Sequence, residues 1–167
     1  DMAKGADVLI GVSQSGAFTK SIVQSMNADS IVFSLCNPDP EISYQDAKAA
    51  GVKVAGTGRS DSPNQVNNVS VFPGVFRGAI DVRARQINEE MKLAAVHAIA
   101  DLAKEPVPEM VILAYNLKNL NFGRDYFIPK PFDSRLLTRV SIAVAKAAME
   151  SGIAGRPITD FEAYENE

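Results

Sequence analysis

The stretch Gly56–Asp81, GTGRSDSPNQVNNVSVFPGVFRGAID, decides how the rest of the chain is read. A glycine-flanked turn leads into a polar segment with three asparagines, Asn64, Asn67 and Asn68. An apolar run, Val69 to Phe72, follows at once, and Pro73-Gly74 separates it from Val75, Phe76, Ala79 and Ile80. An asparagine side chain has two donors and an acceptor. Beside a buried run, each group left unpaired costs about 1–3 kcal/mol. These amides therefore need partners, either on the backbone or on a ligand. The short apolar run predicts a strand over Val69 to Phe72, with a helix from about Arg77 to Arg85.

Upstream, Asp7 to Val12 is short, apolar, rich in β-branched residues and bounded by glycines. That pattern predicts a buried parallel strand. Ser13-Gln14-Ser15-Gly16 is the turn after it. Phe18, Val23, Ile22 and Met26 have helical spacing. Ile31 to Leu35 predicts a second strand, ended by Cys36-Asn37-Pro38-Asp39-Pro40, where two prolines forbid helix or central strand. Ser43, with Asp46 three residues on, starts a short helix that Gly51 closes. Val52 to Ala55 predicts a third strand. Downstream, Ile87, Met91, Ala94, Ala95, Ala98, Ile99 and Leu102 line one side of a helix over Ile87 to Lys104. Asp133 reads as the N-cap of a helix from Ser134 to Ser151, closed by Gly152. Strands alternating with helices imply α/β architecture: a parallel sheet with helices on both faces and right-handed crossovers.

At 167 residues the chain is long enough for a real core. Its net charge of −3, with no run of lysines and arginines, argues against a nucleic-acid surface. No apolar stretch has the length of a membrane span, and there is no signal-peptide pattern. One cysteine, Cys36, excludes an intrachain disulfide framework and suits a reducing, cytoplasmic compartment. The opening DMAKGADVLIGVS, with a strand so early and no initiator methionine, reads as a chain cut from something longer.

The block TGRSDSPNQVNNVSVFPGVFRGAIDVRARQINEEMKLAA resembles the C-terminal core of the malic enzyme family in its shorter prokaryotic form. The likeness extends through GADVLIGVSQSGAFT, IVFSLCNPDPEI, YFIPKPFDSRL and AVAKAAMESGIAGRPI, in the family's order. It implies that residues 1–167 are the second half of a Rossmann-like NAD(P)-binding domain plus C-terminal helices. The first half of the sheet and the N-terminal catalytic domain would precede Asp1. So would the phosphate-binding glycines, the catalytic tyrosine and lysine, and the acidic ligands of a divalent Mg or Mn ion. The parent activity implied is oxidation of L-malate with NAD or NADP and decarboxylation to pyruvate, in a homo-oligomer. NAD cannot be told from NADP here, because the discriminating residues lie upstream.

In such sheets, ligands bind at the carboxyl ends of the strands. By resemblance, Gly11, Val12 and Ser13 lie near the nicotinamide ribose. Asn37 meets cofactor and substrate carboxylate, Asn67 the cofactor and Asn68 the substrate. These residues would position reactants; none of them would be catalytic, and no metal ligand is assigned to the chain. Other residues have plainer readings: Arg59 as an ion pair, His97 as a surface residue, Cys36 as a small buried hydrophobe. Two rival functions remain open at this point. One is another NAD(P)-dependent dehydrogenase; the other is a non-catalytic nucleotide-binding or assembly module.

Overall fold

The chain alternates β1 (Val8–Gly11), α1 (Lys20–Gln24), β2 (Ile31–Ser34), α2 (Tyr44–Ala49) and β3 (Val54–Thr57), then continues as helix. This computed structural model describes residues 2–165. The strands form one parallel sheet in the order β1-β2-β3, the α/β, Rossmann-like arrangement that the alternation predicts. The register aligns Leu9 with Val32 and Val32 with Ala55. Side chains alternate along a strand, so this row shares one face. Val23 and Met26 beside α1, with Ile42, Ala47 and Val52 around α2, bury it. Both helices start on hydroxyl caps: Thr19 Oγ1 accepts from Ile22 N–H at 3.3 Å, and Ser43 Oγ from Asp46 N–H at 3.0 Å.

The chain divides into two compact units, residues 1–67 with 122–127, and residues 68–121 with 128–167. In the first unit the opposite sheet face receives Phe127, whose ring lies 5.4 Å from that of Phe33. Val8 and Ile10 on that face are 48% and 59% exposed. β1 is therefore not the fully buried strand its composition predicts. Among the described residues it stands at an edge of the sheet, which leaves its outward side chains about half exposed.

The second unit is helical: α3 (Phe72–Asp81), α4 (Glu89–Leu102), α5 (Glu109–Ala114), α6 (Arg135–Glu150) and α7 (Phe161–Glu165). Its core joins Val75, Ala79 and Val82 to Met91 and Ala95 of α4 and to Val140, Val144 and Ala148 of α6. The predicted fourth strand is absent. Asn68–Ser70 forms a 3-10 turn and α3 begins at Phe72. Pro73 explains this: in the first turn of a helix its missing N–H costs nothing and its fixed φ is helical. Val71, Val75, Ala79 and Val82 also recur at helical spacing, which a four-residue window hides. At α6, Asp133 lies one residue before the cap position, yet its Oδ1 accepts from Arg135 N–H at 3.1 Å and serves the first turn. Gly152, at φ 71°, closes α6 as predicted. No helix among the described residues is long and apolar enough to cross a membrane.

Candidate functional site

The three strands end at Gly11, Ser34 and Thr57, and the first two of the loops that follow are tied together. The tie is Glu41, a residue that the sequence reading passed over. Its side chain is fully buried. Oε1 accepts from the Ser13 backbone N–H at 2.6 Å and from the Ser13 hydroxyl at 3.2 Å. Oε2 accepts from the Cys36 backbone N–H at 3.1 Å. One carboxylate thus clasps the turn after β1 to the turn after β2. The Cys36 thiol adds a bond to the Ser13 carbonyl at 3.3 Å. Cys36 is only partly buried and acts as a donor, which corrects the expectation of a simple buried hydrophobe.

Burial alone would raise the Glu41 pKa. The backbone N–H groups of Ser13, of Glu41 itself and of Cys36, with the Ser13 hydroxyl, outweigh it and hold the carboxyl below its ordinary value. The sign follows from linkage. The clasp contributes stability above the unfolded carboxylate pKa of about 4.3 and loses it as pH falls through the lower folded value.

The residues expected at the site sit as follows. Gly11 is buried under the Glu41 carboxylate, while Val12 is 79% exposed and Ser13 carries the clasp. Asn37 is exposed, and its Oδ1 lies near the loop after β3: a Cβ added to Gly58 would stand 3.5 Å from it. Asn67 and Asn68 are both exposed. Asn67 ends the first unit and Asn68 opens the second, in the 3-10 turn. The strand geometry that would have sent neighbouring side chains to opposite sides does not apply there.

Asn64 belongs to the fold. It is fully buried, donating to Ala55 O at 3.0 Å and Arg124 O at 2.7 Å, and accepting from Phe127 N–H at 3.1 Å. The polar segment before it folds back along β3, where Thr57 N–H bonds Asn64 O and Val66 N–H bonds Thr57 O. This covers the outer edge of β3. Arg59 is held by Asp61 at 2.8 Å and Asp39 at 3.5 Å, the ion-pair role expected of it. It borders a cavity of about 520 Å³ with Ser15, Gly16, Pro40 and Tyr44, open at the same ends of the strands. His97 is exposed on α4. No group of three or more His, Cys, Asp or Glu side chains able to hold a metal occurs among the described residues.

The site can therefore position a ligand by backbone and amide groups. Glu41 left one signal in the sequence: a carboxylate directly after Pro38-Asp39-Pro40, in a turn, with a glycine ending the neighbouring strand.

Known proteins agree with this geometry. The family described as malic enzyme, NAD binding domain, matches residues 3–121. An NADP-dependent malic enzyme of Haemophilus influenzae is 55% identical over 165 residues, covering 98% of this chain and 22% of that protein. One from Halomonas elongata is 55% identical over 158 residues, covering 94% and 37%. The crystal structure of a malic enzyme from Pyrococcus horikoshii Ot3 superposes with a TM-score of 0.83 at 40% identity, covering 98% of this chain and 34% of that one. The chain thus spans between about a fifth and two fifths of the curated relatives it matches. A three-stranded parallel sheet with its loops gathered at the carboxyl ends, and a family match over most of its length, place this chain in the malic enzyme family, in the NAD-binding domain.

Proposed function

We propose that residues 1–167 are the C-terminal portion of the nucleotide domain of a malic enzyme that oxidises L-malate and decarboxylates the product to pyruvate and CO2. The observation behind this reading is the clasp by which Glu41 joins the loops after β1 and β2 at the carboxyl ends of the sheet, in a chain of this family. A bound NAD or NADP would accept the hydride. Gly11, Val12, Ser13, Asn37 and Asn67 would hold the nicotinamide end, and Asn37 and Asn68 would orient the malate carboxylate and C2 hydroxyl. The exposed amides of Asn37, Asn67 and Asn68 fit that role, since an amide offers both donor and acceptor to a ligand. A divalent Mg or Mn ion would be held by residues elsewhere in the parent protein, which we read as a cytoplasmic homo-oligomer. The isolated 167-residue chain, to which this reading assigns positioning groups alone, should turn over no malate.

The test is Asn68→Ala in the intact parent enzyme. Misplacing a reacting group by about 1 Å can cost on the order of a hundredfold. We expect kcat/KM for malate to fall roughly ten- to a hundredfold, about 1.4–2.7 kcal/mol of transition-state binding. The melting temperature should stay nearly constant, because the Asn68 side chain is exposed. A well-folded variant with unchanged kcat/KM would end the substrate role.

A further inference from the structure

We propose that Glu41 is a positioning residue for the dinucleotide, locking the Gly11–Ser13 turn to the Cys36–Asn37 turn so that the cofactor meets both in one fixed geometry. This rests on the dinucleotide reading of the strand-end loops.

The first ground is cost. A buried carboxylate is expensive unless its oxygens are paired, and an apolar side chain of similar size would cover two loops more cheaply. Among the described residues no lysine or arginine forms an ion pair with Glu41; its partners are the Ser13 N–H and hydroxyl and the Cys36 N–H. What such a group supplies is geometry. The second ground is Gly11. A Cβ there would stand 2.6 Å from Glu41 Cδ and 2.7 Å from its Oε1. The end of β1 has no room for any side chain, because the carboxylate and the Phe18 ring, whose Cζ would stand 2.7 Å from that Cβ, share the space. The third is reach. The Glu41 carbonyl accepts from Phe18 N–H at 3.1 Å, so the same residue also ties the lead-in to α1.

Each group facing the carboxylate is a donor. Glutamine has one acceptor oxygen and one donor amide, so it must turn an NH2 against either Ser13 N–H or Cys36 N–H. Aspartate, one methylene shorter, cannot span both turns.

The experiment compares the intact parent enzyme with its Glu41→Gln and Ser13→Ala variants. Affinity for the reduced dinucleotide is read by its fluorescence, with steady-state KM and kcat alongside. The rate at which iodoacetamide alkylates Cys36 is read from the mass of its peptide. For Glu41→Gln we expect Kd and KM for the dinucleotide to rise roughly tenfold, with kcat changed less. Cys36 alkylation should accelerate several-fold as its bond to Ser13 loosens. Ser13→Ala removes only the hydroxyl contact and should raise Kd about two- to threefold. It keeps the test alive if Glu41→Gln does not fold. Unchanged Kd and KM in folded variants, with only the melting temperature lowered, would overturn the inference and leave Glu41 an ordinary core residue. Unchanged Cys36 alkylation in Glu41→Gln would overturn it too. A wild-type enzyme that binds no dinucleotide, with faster Cys36 alkylation in Glu41→Gln, would overturn the nucleotide reading while upholding the clasp.

Discussion

Alanine in place of Asn64 is expected to lower the melting temperature of the ligand-free protein by roughly 10 °C. Three partners lose their bonds at once: Ala55 O, Arg124 O and the Phe127 N–H. The site is fully buried, so water does not replace them. At about 1–3 kcal/mol for each unsatisfied group, partly relieved by relaxation, the loss comes to about 3–4 kcal/mol. For a chain of this size each kcal/mol shifts the melting temperature by about 2–4 °C. Asn64→Asp sharpens the test, because it keeps the shape. Its second oxygen would face the carbonyls of Ala55 and Arg124 where the amide donated, so the loss should be at least as large. Thermal unfolding followed by circular dichroism measures both. A drop under about 2 °C in each would show that these bonds do not hold the 122–127 segment to β3.

The second large effect should come from Gly78→Ala in α3. On helix propensity alone the change would stabilise the protein by about 1 kcal/mol. Here the sign reverses. A Cβ at Gly78 would stand 2.4 Å from the Ser141 carbonyl oxygen and 3.0 Å from Val144 Cβ. Backbone cannot rotate away as a side chain can, so α3 and α6 must separate. Overpacking of this kind costs about 1–3 kcal/mol or more, and it would open a core shared by Val75, Ala79, Val140 and Val144. We expect a net loss of about 1–2 kcal/mol, read as a lower urea midpoint with an unchanged slope. Gly74→Ala touches the same seam, with a Cβ 2.6 Å from that of Val140, so the double variant should lose less than the two losses added. A gain in stability for Gly78→Ala would refute the close helix contact.

Much of this fold is legible without coordinates. The three strands fall inside the runs Asp7 to Val12, Ile31 to Leu35 and, shifted by two residues, Val52 to Ala55. Periodicity, flanking glycines and the proline pair after β2 carry that reading. It fails at Val69 to Phe72, where Pro73-Gly74 reads as a break after a strand but forms the first turn of a helix. Pro73 and the spacing from Val71 to Val82 contain the helix, but only over a longer window. α5 lies in a region, between Pro106 and Phe122, for which no element was expected. The site divides the same way. Asn37, Asn67 and Asn68 enter the proposed site by resemblance alone, and the structure adds that they are exposed. Asn64 follows Pro63 in a polar segment whose composition suggests local turn bonding, whereas it bonds Arg124 and Phe127, far along the chain. Glu41 shows only faintly, as a carboxylate after Pro38-Asp39-Pro40, because nothing in its neighbours' spacing says that the distant Gly11 yields it room.

The bonds of Asn64 also decide where this protein can be divided. The sheet unit is assembled from residues 1–67 and 122–127, so residues 68–121 are an excursion between its parts. On the ribosome, Asn64 and the Ala55 carbonyl emerge long before Arg124 and Phe127 reach them. Closing a loop of about 60 residues costs chain entropy on the order of 3–4 kcal/mol, to be recovered only when the later segment docks. A dissection that treats residue 67 as a module boundary would leave Asn64 with Ala55 as its sole remaining partner of the three. Chimeras, permutations and two-piece reconstitutions that carry residues 122–127 with the strands keep the amide whole.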